Sequence, residues 1–245
     1  MSIDTYIVAA LGALIGGLVQ GLTGFAFTIV AMSIWVWTLD PFLAAVLAVY
    51  GALFGQVLGI FIVRRSFSFD KVLPFIIGGL LGMPIGFKLL PLLQIEYLKL
   101  GLGLLLITFC PAVLFSEKLP RVTLGGKWLD GVIGLVGGIL GVLAGLSGAL
   151  PALWCVLRDY EKDMQRAILQ YYNLTILSIT ATLYLAGGVV KPPMVPVLLV
   201  TLIILLIPVL VGIQLYKKIN ERIFRRVILI LLTLSGMIML ASVWT

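Results

Sequence analysis

The sequence predicts an all-α integral membrane protein made of two inverted repeats of about 120 residues, each a glycine-broken re-entrant hairpin followed by three transmembrane helices. Three observations carry this. Hydrophobic residues make up 62% of the chain, charged residues only 11%, and mean hydropathy is +1.21. A water-soluble domain is usually about a quarter charged, so the solvent for this surface is lipid. Apolar runs of spanning length recur along the whole chain. Two of them are overlong, broken by glycines, and alike.

The runs between charges are Tyr6–Leu39, Phe42–Val63, Val72–Leu93, Tyr97–Phe115, Leu129–Leu157, Ala167–Val190, Met194–Tyr216 and Ile223–Trp244. Most match one spanning helix of about 20 residues. The first, at 34 residues, would make a helix of roughly 51 Å against a hydrocarbon core of about 30 Å. The fifth, at 29 residues, would reach roughly 43 Å. A single crossing does not need that length.

Gly17, Gly21, Leu22, Thr23 and Gly24 match Gly141, Gly145, Leu146, Ser147 and Gly148 at an offset of 124. Ala45, Leu47, Tyr50 and Pro74 match Ala167, Leu169, Tyr172 and Pro196 at 122, and Gly86 matches Gly212 at 126. The order and near-constant offset divide the chain into residues 1–120 and 121–245, two repeats of one membrane domain.

Charge counting decides between two topologies. Eight plain helices in two parallel four-helix repeats would put ten Lys and Arg on one side and seven on the other. If each long run instead turns at its glycines and leaves on the side it entered, one side keeps only Lys88, Lys99 and Lys191. The other collects the remaining fourteen of seventeen. That asymmetry fits the positive-inside rule and puts both termini outside. Met1–Tyr6 has no basic residue, so a cleaved leader is not expected.

A backbone turn at membrane depth survives only where protein or an aqueous cavity satisfies its N–H and C=O groups. Broken helices meeting at a repeat interface are where transporters hold substrate, and half-helix N-termini favour anions. The candidate binding residues are therefore Thr23, Gly24, Phe25 and Ala26 at the first tip and Ser147, Gly148 and Ala149 at the second. Gln170 and Asn173, three apart on one helix face, and Tyr50 in the equivalent helix of the first half join them. The triads Gly51/Gly55/Gly59 and Gly78/Gly82/Gly86 read as close helix packing. No charged residue falls in mid-span, so the expected site is neutral, and Arg158 and Arg166 read as topology determinants.

Several function classes are excluded. No basic stretch has the interleaved aromatics of a nucleic-acid module. The chain has no His, and Cys110 and Cys155 lie in apolar runs, so neither a metal site nor a cofactor is expected. Gly145-Leu146-Ser147-Gly148 has the form of an intramembrane serine-protease motif, but the chain lacks a histidine base, so catalysis is not expected.

The paired glycine motifs, with LSGALPALWCVLRDYEKDMQRAILQYYNL from Leu146 to Leu174, resemble the sulfite exporter TauE/SafE family, also called the toluene-sulfonate uptake permeases. The resemblance implies a transporter of sulfite, sulfonates or other small sulfur-containing or organic anions in the cytoplasmic membrane. Two departures mark the tips. Phe25-Ala26-Phe27 stands where the family often continues the first motif as Gly-Phe-Gly-x-Gly or Gly-Phe-Gly-Phe, and Ala149-Leu150-Pro151 where it often has Gly-Pro after the second glycine. The expectation is a secondary transporter. The alternative is a passive channel with an hourglass pore. The expected partners are the anion and the bilayer, with a possible homo-oligomer and no nucleic acid.

Overall fold

The computed structural model describes residues 2–35, 38–62, 68–89, 100, 103–104, 106–108, 111, 122 and 125–242. The expected span Tyr97–Phe115 lies mostly outside them. Regular structure among the described residues is entirely helical: α1 (Ile3–Thr23), α2 (Phe27–Trp35), α3 (Pro41–Ile62), α4 (Phe69–Leu89), α5 (Gly126–Ala144), α6 (Ala149–Leu157), α7 (Lys162–Ala186), a 3-10 turn (Pro192–Met194), α8 (Val195–Lys218) and α9 (Glu221–Ala241).

Both overlong runs break within the matched glycine motifs, at glycines three positions apart in the repeat register. α1 ends at Gly24, whose φ of 86° suits only a residue without Cβ, and whose N–H donates to the Gln20 carbonyl at 2.7 Å. α5 ends the same way at Gly145, φ 68°, with its N–H on the Gly141 carbonyl at 2.9 Å. After each break a nine-residue helix doubles back. Phe27 and Ala31 of α2 fit against Gly16 of α1, and Trp35 Nε1 donates to the Val8 carbonyl at 3.1 Å. In the second pair Pro151 of α6 lies over Gly137 of α5, and Trp154 Nε1 donates to Asp130 Oδ1 at 2.7 Å.

Glycine faces then lock the long helices side by side. α1 meets α8 where Gly17 faces Leu205 and Gly21 faces Val209 and Gly212. α4 meets α5 where Gly78 and Gly82 press on the carbonyls of Gly131 and Leu135, and Gly138 on that of Gly79. α3 and α7 cross through the middle in opposite directions: Tyr50 Oη donates to the Ala181 carbonyl at 2.8 Å, while Gln170 Nε2 donates to the Gln56 carbonyl at 3.1 Å. These contacts set α1, α3 and α8 running one way and α4, α5 and α7 the other.

The outside is apolar. Leu81, Ile203 and Ile207 are 62%, 72% and 70% exposed, and α1, α4 and α8 carry continuous rows of such residues. In water such faces would aggregate; against lipid tails they are solvated. Among the described residues, five helices are long and apolar enough to cross a membrane: Ile3–Thr23, Phe42–Ile60, Phe69–Leu89, Gly126–Leu143 and Pro192–Lys218.

Candidate functional site

The two hairpin tips meet at the centre, against one face of α7. A Cβ built on Gly148 would lie 2.9 Å from Phe25 Cβ and 2.7 Å from Asn173 Nδ2, and one on Gly145 would lie 3.3 Å from Thr28 Cγ2. Phe25, Ala26, Ser147, Ala149 and Asn173 are all buried. The fold therefore brings Phe25, Ser147, Gly148 and Asn173, from three separate stretches of chain, into mutual contact.

The tips are satisfied differently. At the first, Thr23 Oγ1 accepts from the N–H groups of Phe25 (3.4 Å) and Ala26 (3.2 Å) while donating to the Val19 carbonyl at 2.8 Å. Gln20 Oε1 accepts from the Phe27 N–H at 3.0 Å, and its Nε2 donates to the Ala52 carbonyl of α3 at 3.3 Å. Gln56 Nε2 donates to the Gly24 carbonyl at 2.7 Å. The N–H groups of Phe25, Ala26 and Phe27 at the entry to α2 are thus held by the chain's own side chains, against the expectation of open N–H groups at both tips.

At the second tip no side chain caps the N-terminus of α6. Ser147 Oγ donates to Asn173 Oδ1 at 2.7 Å, which fixes the amide so that Nδ2 faces Gly148. Asn173 is 1% exposed and Nδ2 has no hydrogen-bond partner. A buried unmatched donor costs about 1–3 kcal/mol, so it marks a place where an acceptor belongs.

Gln170, one turn from Asn173, is buried with its Nε2 on the Gln56 carbonyl, 2.6 Å from where a Gly59 Cβ would be. Tyr50 does not reach the tips. Its hydroxyl is held at Ala181, eight residues beyond Asn173 on α7 and so about 12 Å along the axis.

The sequence did not show what three groups of residues hold. Gln20 and Gln56, which stand out in the sequence as polar residues within spans, clamp the first tip to α3. Gly51, Gly55 and Gly59, read as packing, give room to Phe27, Gln20 and Gln170 respectively. Charge also lies closer than expected: Arg166 is 1% exposed, with Nη1 and Nη2 donating to the carbonyls of Leu22 (2.8 Å) and Gly21 (2.6 Å) and its stem beside Gly24. The guanidinium sits at the negative end of α1. Asp130, 2% exposed, is paired with Arg158 at 3.3 Å. The expectation of a neutral surround is corrected at Arg166; the Asp130–Arg158 pair lies at the other end of the second hairpin, away from the tips. The signal for Arg166 was its position one turn before Gln170, on the face shared with Asn173.

The family model described as sulfite exporter TauE/SafE matches residues 8–239. No curated protein and no solved structure matches the chain. With that match over nearly its whole length, and five helices fit to cross a bilayer, the chain is a multi-pass membrane protein and belongs to the sulfite exporter TauE/SafE family.

Proposed function

We propose that this protein is a secondary transporter for a small sulfur-containing anion, held between the hairpin tips at the N-terminus of α6. The observation that carries this is the buried, unpartnered Nδ2 of Asn173 over Gly148. A sulfite or sulfonate oxygen is a fitting acceptor for it, and the positive end of the α6 dipole adds attraction. Ser147 holds the amide in register, and Phe25 closes the site from the other tip. A site of few fixed donors binds an anion without trapping it.

In this reading α1–α2 and α5–α6 are re-entrant hairpins entering from opposite faces, and residues 1–120 and 121–245 are inverted repeats. The opposed directions of α3 and α7 support that. Both termini face outward across the cytoplasmic membrane. The close packing of Phe25 on Gly148 favours a carrier that alternates between two openings over a standing pore.

Purified protein in proteoliposomes should accumulate sulfite or thiosulfate above the external concentration when a proton gradient is imposed. Asn173→Ala should abolish the uptake. Flux that only equilibrates the anion would make the protein a channel, and full uptake by Asn173→Ala would remove that residue from the site.

A further inference from the structure

Arg166, Gln170 and Asn173 stand at i, i+4 and i+7 on α7, and all three are at most 4% exposed. One helical face thus carries a guanidinium, an amide and an amide in line. Their surroundings change in order along the helix. Asn173 faces the second tip, Gln170 faces α3, and Arg166 faces the first tip, with its stem 3.2 Å from the position a Gly24 Cβ would take. Arg166 and Asn173 are seven residues and so about 10 Å apart along the axis, too far for one small anion to bridge.

We propose that Arg166 is the coordinating residue of a second anion station, on the first tip's side of the one at Asn173. This rests on the transport reading above. Two of the acceptors on the Arg166 fork are the neutral carbonyls of Gly21 and Leu22. An oxyanion is a stronger acceptor for a guanidinium than a carbonyl is, and the planar fork matches two oxygens of a sulfite or sulfonate group. An anion moving off Asn173 along this face meets Gln170 and then Arg166. There it takes the fork from the carbonyls and loosens the first tip from α7. Lys162, one turn further back, donates Nζ to the Ile219 carbonyl at 2.8 Å and continues the line of positive charge. Tyr216 walls the station: its ring lies 4.2 Å from the guanidinium carbon, and its hydroxyl is hydrogen-bonded to Asp163.

The test compares a dianion with a monoanion. Binding of thiosulfate and of methanesulfonate to the full-length protein in detergent is measured for wild type, Arg166→Gln and Arg166→Lys. Removing the charge should weaken thiosulfate by about tenfold or more, and methanesulfonate by clearly less. Equal losses for the two ligands would mean that Arg166 only braces the tip, and would overturn the proposal. Arg166→Lys keeps a cation on the two carbonyls and guards against a folding defect. Lacking the fork, it should still bind thiosulfate about threefold or more weakly; wild-type affinity in that variant also overturns the proposal. If neither anion binds wild-type protein, the transport reading itself fails, a different outcome from either of these.

Discussion

Gly21 and Gly212 touch backbone to backbone: a Cβ on either one would stand 2.9 Å from the Cα of the other. Neither helix can carry a larger residue there without separating from its neighbour. Gly212→Ala would press its Cβ to 2.1 Å from the Leu18 carbonyl oxygen. The cost expected is about 1–3 kcal/mol, seen as a lower melting temperature in detergent. Gly131→Ala, on the equivalent contact between α4 and α5, meets only the Pro74 carbonyl at 3.6 Å and should melt close to wild type.

Ser147 and Thr23 match by sequence but do different work, and their variants should differ. Ser147→Ala leaves Asn173 Oδ1 without its donor and frees the amide to rotate. Thiosulfate affinity should fall about tenfold, in line with the loss of one or two hydrogen bonds to a charged ligand. Thr23→Val uncaps the Phe25 and Ala26 N–H groups. Its main effect should be a stability loss of about 0.5–2 kcal/mol, read by thermal unfolding.

The pair Asp130–Arg158 fastens α5 to the end of α6, with side chains 3% and 12% exposed. Arg158 also donates to the carbonyls of Val122 and Gly126 at 3.2 Å. Asp130→Ala leaves a nearly buried guanidinium without its counter-charge and takes the acceptor from Trp154. A loss of about 3–5 kcal/mol is expected. Adding Arg158→Leu to that variant should recover part of it, and a double-mutant cycle on melting measures the coupling. Strict additivity of the two losses would contradict a mutual role.

Topology is tested by labelling. In a background with Cys110 and Cys155 replaced by Ala, cysteines at Thr38 and Lys191 should both react with an impermeant maleimide added outside intact cells. Thr38 spares Asp40, whose Oδ1 caps α3 through the N–H groups of Phe42 and Leu43 at 3.0 and 3.1 Å. Protection of both positions would reverse the orientation; protection of Thr38 alone would remove the first hairpin.

That the two long runs break within the motifs Gly21–Gly24 and Gly145–Gly148 was legible in the sequence, because length, glycine spacing and repetition all pointed there; which glycine of each motif takes the left-handed turn was not. Helix ends set by distant partners were not. α7 begins at Lys162, a turn earlier than the apolar run at Ala167, since Arg166 is buried against chain far away in sequence. Arg166 follows a charged loop, so local pattern reads it as a boundary. The carbonyls that hold it belong to residues 144 and 145 positions earlier. Gln56 stood out as a polar residue within a span, but its partner did not: the Gly24 carbonyl is open to it only because α1 ends there in a left-handed turn. Tyr50 shows the converse. A repeat match placed it beside the site, but its side chain leaves the helix toward Ala181.

The contact between Gly21 and Gly212 also sets a schedule for biogenesis. Its two sides are separated by 191 positions of chain. At about 5–20 residues per second, ribosomes take roughly 10–40 s to make that interval. Throughout it the glycine face of α1 is in the bilayer without its mate, and until α7 brings Arg166 to the Gly21 and Leu22 carbonyls the first hairpin leans on α3. The capping by Thr23, Gln20 and Gln56 draws wholly on residues already synthesised by then. It equips the early hairpin to keep its shape while the ribosome finishes the helix that will cover it.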